Sequence, residues 1–214
     1  GWLTEAEGQS LYRTAKAVRN GNIVVEIGTW KGKSTICLAQ GVKDGNGGNI
    51  IAVDPHVGSS EHQKQFGKVD TFQDFLNNIE RAGVSEYIQP IRNTSEYAAK
   101  HTSGPIEFVF IDGAHELRFV TQDYRLWFPK VTNHGWLAFH DSWHFPGPHL
   151  LTTAVLLFSS RVRHPRLVDT ITYVQKVERN TFANRLQNIG FAVYKLLFGI
   201  KGFLQLKYHG SQTI

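Results

Sequence analysis

The stretch that most constrains this chain is residues 23–39, IVVEIGTWKGKSTICLA. A short β-branched run ends in an acid, Glu26, passes Gly28 and Gly32, and enters a helical pattern through Ser34 and Thr35. A strand that stops, a tight loop, and a helix whose first N–H groups lack intrahelical partners form a ligand-facing edge of a parallel α/β sheet. The spacing sets two common relatives aside. A dinucleotide fold uses G-x-G-x-x-G, and a triphosphate loop closes G-x-x-x-x-G-K-[ST]. Here Thr29, Trp30 and Lys31 alone separate the two glycines, with Lys33 and Ser34 following the second.

The rest of the chain alternates strand and helix patterns, which predicts a mostly parallel, doubly wound α/β sheet with helices on both faces. An N-terminal helix is expected over 4–18, with Thr4 as cap and Glu7 completing a capping box. Strands follow at 22–27, 49–53, 87–91, 106–111 and 135–139, and helices at 33–41, 70–82, 95–101, 116–127 and 150–160. One or two further strands fall within 167–177. Residues 58–69, including His62, read as a polar loop.

In such sheets ligands sit outside the carboxyl ends of the strands. Acids and histidines collect there: Glu26 after the first strand, Asp54 and His56 after the second, Asp112 and His115 after the fourth, His140 and Asp141 after the fifth. A carboxylate at Asp54 can accept two hydrogen bonds from ribose hydroxyls, although an Asp-Pro pair also starts turns. Ser95, after the third strand, is a further candidate ligand contact, or caps the helix behind it. Asp112 closes an apolar strand, an expensive place for a charge without a metal, a substrate or a cofactor amine beside it. Alternation would send His140 and Asp141 to opposite faces, so both reach one site only if the strand breaks there.

The 214 residues suffice for one domain with a real core, and 41% apolar content fits a globular protein. A single cysteine, Cys37, excludes an intrachain disulfide framework, and the polar start shows no secretory pattern, so a reducing cytoplasm is expected. The net charge of +5 belongs to the tail: residues 179–214 carry five basic side chains and no acid, while 1–178 balance at 18 each. A nucleic-acid enzyme needs a basic field at its cleft, so nucleic acid is not the expected partner.

The pattern E-x-G-x-x-x-G-x-S-T resembles motif I of class I S-adenosylmethionine-dependent methyltransferases. Together VVEIGTWKGKST, IIAVDPH, FVFIDGAHELRFVTQD and the stretch from Pro129 to Asp141 resemble the family of sugar and macrolide O-methyltransferases and cephalosporin-hydroxylase-like proteins, related to catechol O-methyltransferase. The resemblance covers about residues 4–160. It implies an S-adenosylmethionine site at Glu26, Gly28, Thr29, Gly32, Ser34, Asp54, Ser95 and Asp112, within a methyltransferase domain over 1–178. It also implies a divalent metal on Asp112, His140 and Asp141, the same three residues serving catalysis. His115 stands where catechol-type enzymes carry a lysine base, and an imidazole can accept a hydroxyl proton near neutrality. A histidine at 140 shifts preference from magnesium toward manganese, iron or zinc, or else stands outside the ligand set. No Pro-Pro dipeptide is present, which moves the expected acceptor toward the hydroxyl of a small metabolite.

In the tail, over 179–214, Phe182, Leu186, Ile189, Val193, Leu197, Ile200 and Leu204 form one helical stripe. The expectation is a helix docked on the domain, with a homodimer or higher oligomer using its other aromatics. A basic helix lying on a membrane surface is the alternative. For the whole chain, the alternatives to an enzyme acting on metabolites are a cofactor-binding module without turnover and an RNA-directed methyltransferase.

Overall fold

The computed structural model describes residues 2–58 and 67–209; the expected His62 position lies outside the described residues. Seven strands form one sheet in the order β3-β2-β1-β4-β5-β7-β6. They are β1 (Ile23–Ile27), β2 (Asn49–Val53), β3 (Ile88–Ile91), β4 (Ile106–Ile111), β5 (Val131–Phe139), β6 (Val162–Val168) and β7 (Ile171–Lys176). The first five are parallel, and β7 runs antiparallel to β5 and β6. The helices are α1 (Glu5–Lys16), α2 (Lys33–Lys43), α3 (Phe72–Arg81), α4 (Ser95–His101), α5 (Leu117–Trp127), α6 (Pro146–Phe158) and α7 (Phe182–His209). This is the doubly wound, mostly parallel α/β sheet that the strand and helix patterns predict.

Strand alternation explains why both faces must be covered. Val25, Ile51, Val109 and Leu137 share one face and pack with Ala98, Val120, Trp127 and Leu156 of α4, α5 and α6. Their neighbours Val24, Ile50, Phe108 and Ala138 share the other and pack with Leu11, Leu38 and Phe75 of α1, α2 and α3. Strand order reverses between β1 and β4, so a crevice opens at their carboxyl ends.

Four elements depart from expectation, the first being β5, which begins at Val131 instead of 135. Helix α6 begins at Pro146 instead of 150, because proline suits a first helical turn whose N–H groups lack partners anyway. Strand β6 is an edge strand starting at Val162, with a register shift between Arg163 and Arg166 around Pro165. The tail helix packs against α6 and β6, but not by its apolar stripe. Phe182, Leu186, Ile189, Val193 and Leu197 are exposed, while Asn188, Ala192 and Lys195 are buried. Among the described residues no helix is long and apolar enough to cross a membrane.

Candidate active site

Backbone hydrogen bonds carry the ladder past the strand ends and align their mouths. The Gly28 N–H donates to the Val53 carbonyl (2.9 Å), Asp112 to Ile27 (2.8 Å) and His140 to Ile111 (3.0 Å). Gly28 has φ of +85°, and a Cβ there would lie 2.1 Å from the Asp112 carbonyl oxygen. Only glycine lets the loop cross the end of β4 this closely. Gly32, at φ +88°, then turns the chain into α2.

The loop is braced from beneath by Glu26. This buried carboxylate accepts from the hydroxyls of Ser34 and Thr35, at 2.5 Å each. Burial above all pushes its pKa up to about 8, against the pull of the two hydroxyls. Glu26 and Ser34 are thus turned toward each other. Asp54 is fixed by three backbone donors: Thr29 (2.9 Å) and Trp30 (2.8 Å) on one oxygen, His56 (2.6 Å) on the other. A carboxylate offers about four lone-pair sites, so acceptor capacity remains. The Thr29 hydroxyl is buried in this loop without a hydrogen-bond partner. Ser95 is held elsewhere: its hydroxyl accepts from the Trp127 indole (2.8 Å) and pairs with Asp123, whose pKa burial raises to about 6. The cap of α4 is Thr94.

Across the crevice the ends of β4 and β5 bring four titratable groups together. Strand β5 stops at Phe139 and Asp141 adopts a left-handed φ of +53°, the break that lets His140 and Asp141 share one site. His115 Nε2 lies 3.1 Å from Asp141 Oδ2, and its ring stacks on Phe145 with centroids 3.9 Å apart. Hydrogen bonds from His115 and His140 overcome burial and hold the Asp141 carboxyl well below its usual range.

His140 faces the other way. Its Nδ1 is 2.8 Å from Asp112 and 3.3 Å from Asp141, and its Nε2 is 3.5 Å from Glu7. Burial opposes the charge, but Asp112 foremost, with Asp141 and Glu7, pushes its pKa up to about 12. Asp112, His115 and Asp141 each offer one ligand atom within 4.8 Å of the others, while His140 stands on the Asp112 and Asp141 side of this group. His140 neutralises part of a carboxylate cluster formed by Glu7, Asp112 and Asp141.

Three contributors escaped the sequence reading. Glu7 completes the capping box with Thr4, yet the same carboxylate accepts from the Thr170 N–H (3.0 Å) and hydroxyl (2.6 Å) and reaches His140. Phe145 sits in a loop with no periodicity to mark it. Lys195, buried in α7, reaches the Ser142 carbonyl (2.9 Å), the Thr152 hydroxyl (2.9 Å) and the Thr172 hydroxyl (2.8 Å), pinning the turn behind Asp141.

Residues 25–142 match the sequence profile of a family described as Methyltransferase domain. A curated relative, the uncharacterized protein R132 of Acanthamoeba polyphaga mimivirus, is 31% identical over 120 residues, covering 55% of this chain. The chain spans half the length of that relative. Among solved structures, the O-methyltransferase NovP is similar with a TM-score of 0.71 at 12% identity, over 81% of this chain and 80% of NovP. The O-methyltransferase TomG of Streptomyces achromogenes, in complex with SAM, gives 0.61 at 15% identity over 82% and 81%. An rRNA methylase from Streptococcus thermophilus gives 0.59 at 15% identity over 83% and 100%. At these identities the likeness establishes the shared fold.

Proposed function

The chain belongs to the methyltransferase-domain family, and from that premise we propose that it transfers a methyl group from S-adenosylmethionine to a hydroxyl of a small metabolite. The observation that carries this reading is the His115–Asp141 pair beside Asp112, at the strand ends where the sheet order reverses. The cofactor pocket fits the residues present. The buried Thr29 hydroxyl has no protein partner, Asp54 keeps acceptor sites for ribose hydroxyls, and the carboxylate cluster exceeds the charge that His140 neutralises. That excess suits the cationic methionine end of the cofactor, beside Asp112. When bound, S-adenosylmethionine supplies an activated methyl on a leaving group that departs as a neutral thioether.

The chain's own task is then to align the acceptor oxygen and take its proton. His115 is held by its stack on Phe145 and oriented by Asp141, so its ring can accept the hydroxyl proton while Asp141 stabilises the charge that develops. Asp112, His115 and Asp141 would also fit a divalent cation of mixed oxygen and nitrogen preference, manganese, iron or zinc ahead of magnesium. Such a cation would lower the pKa of a bound hydroxyl. The balanced charge of 1–178 supports a metabolite over RNA as acceptor.

The test is methyl transfer from labelled cofactor to a panel of sugar, phenolic and polyketide alcohols, with and without chelator. His115→Ala is expected to lower kcat by roughly 10²–10⁴ while affinity for S-adenosylhomocysteine holds. Transfer by His115→Ala at the unaltered rate would remove the base assignment. Tight cofactor binding with no product on any acceptor would favour a module without turnover.

A further inference from the structure

The end of the sheet away from the crevice holds an open cavity of about 360 Å³, within the range of ordinary small-molecule sites. It lies between the end of α1 and the sheet, with Arg13, Glu107, His134, Trp136, Arg166 and Gln175 in its wall. Glu107 and Phe108 stand near the start of β4, whereas Asp112 follows its end. Four to five strand residues, roughly 13–17 Å, therefore separate this cavity from the candidate active site.

An irregularity in β6 builds the basic wall. Arg163 and Arg166 are three residues apart, a spacing that sends side chains to opposite faces of a regular strand. Here three steps along β6 face two along β7, and His164 takes a left-handed φ of +51°. Arg163 thus pairs with Gln175 and Arg166 with Tyr173, which share a face. Bulges re-aim side chains in this way, and both guanidinium groups come to the α1 side. Each is held in place. Arg166 donates to the Thr14 hydroxyl (2.9 Å) and lies over the rings of Tyr173 (4.2 Å) and Trp136 (4.9 Å). Arg163 donates to Gln175 (3.0 Å) and to His134 Nδ1 (2.8 Å).

The polar groups that remain are donors. A guanidinium only donates, so His134 accepts at Nδ1 and carries its own proton on Nε2. The acceptors are already engaged: Gln175 by Arg163, Thr14 by Arg166, and Glu107 by the Arg19 N–H (2.8 Å), Arg19 Nε (2.9 Å) and Asn22 (2.6 Å). Among the described residues no carboxylate bonds Arg13, Arg163 or Arg166. Guanidinium groups in this state match the oxygens and the near-double charge of a phosphate. We infer that this cavity binds a phosphate group, carried by a small metabolite or as the free ion. The inference is independent of which cofactor and acceptor the crevice takes.

The experiment is isothermal titration of the full chain at low salt with ribose 5-phosphate, inorganic phosphate and ribose, with and without S-adenosylhomocysteine. Both phosphates should bind and ribose should not, and the tighter of the two identifies the source. Arg166→Gln should weaken binding at least about tenfold. Arg13→Gln, an exposed change on α1, should also weaken it while circular dichroism and Tm hold. No heat with either phosphate overturns the proposal, as does affinity unaltered in both variants. Displacement of phosphate by S-adenosylhomocysteine would place it in the crevice and overturn it too. A single-stranded RNA that binds about a hundredfold more tightly than ribose 5-phosphate, and loses this in Arg166→Gln, assigns the surface to nucleic acid and also overturns it.

Discussion

Replacing Lys195 with methionine should change how stability depends on pH. The ammonium is enclosed among Ser142, Thr152 and Thr172 with no acid among these partners, and burial lowers its pKa from 10.5 to about 7. Above pH 7 the folded amine is neutral, while the unfolded one keeps its proton until about 10.5. Unfolding then takes up a proton, so the wild type gains stability as pH rises, by about 1.4 kcal/mol per unit. Below pH 7 both states are protonated and this contribution is flat, at a burial cost of roughly 4–5 kcal/mol. Methionine has nothing to titrate. It leaves the Ser142 carbonyl without this donor, a pH-independent loss of about 1–3 kcal/mol. The Thr152 hydroxyl still donates to the Pro148 carbonyl, and Thr172 still accepts from Ser142. Urea unfolding of both proteins from about pH 6 to pH 9 measures the difference directly. It should be constant up to pH 7 and then move in favour of the wild type by roughly 3 kcal/mol over two units, about 1 M in midpoint. A difference that does not vary with pH would refute the argument.

Gly28→Ala places a Cβ 2.1 Å from the Asp112 carbonyl at φ +85°. It should cost at least about 3 kcal/mol and lower Tm by roughly 6–12 °C in a scanning-calorimetry comparison. An unaltered Tm would mean the loop does not cross β4 as described. Burial raises the Glu7 carboxyl, but bonds with His140, Thr170 and Thr4 prevail and hold its pKa at about 2 instead of 4.5. Its stabilisation is complete above 4.5 and lost as pH falls through 2, so Glu7→Gln should flatten this part of the acid unfolding curve. Equal acid limbs in the two proteins would count against the Glu7–His140 contact.

Much of this arrangement was legible in the sequence because strand mouths concentrate unlike residues. Val24 and Val25 at the head of Glu26, or Phe108, Val109 and Phe110 at the head of Asp112, mark buried parallel strands whose ends carry charge. Strand β6 was not legible at its start, since Arg163, Pro165 and Arg166 give no apolar alternation in an edge strand. The part played by Glu7 was hidden because a capping box already accounts for a glutamate three residues after a threonine. His140 and His115 differ by environment, not by pattern: both follow an apolar strand, and only the fold sets one among three carboxylates. In α7, periodicity locates a stripe but does not say which side of the helix meets the domain. The polar contacts of Lys195 and Asn188, distant in sequence from their partners, decide that.

The claim on which the rest depends is that the loop from Gly28 to Gly32, with Asp54, forms an S-adenosylmethionine site. Isothermal titration of the wild type and of Asp54→Ala with S-adenosylhomocysteine addresses it directly. The wild type should bind one equivalent, and Asp54→Ala should bind at least about tenfold more weakly, for the loss of a charged acceptor to the ribose hydroxyls. No heat of binding in the wild type, or equal affinity in the two proteins, would contradict the account.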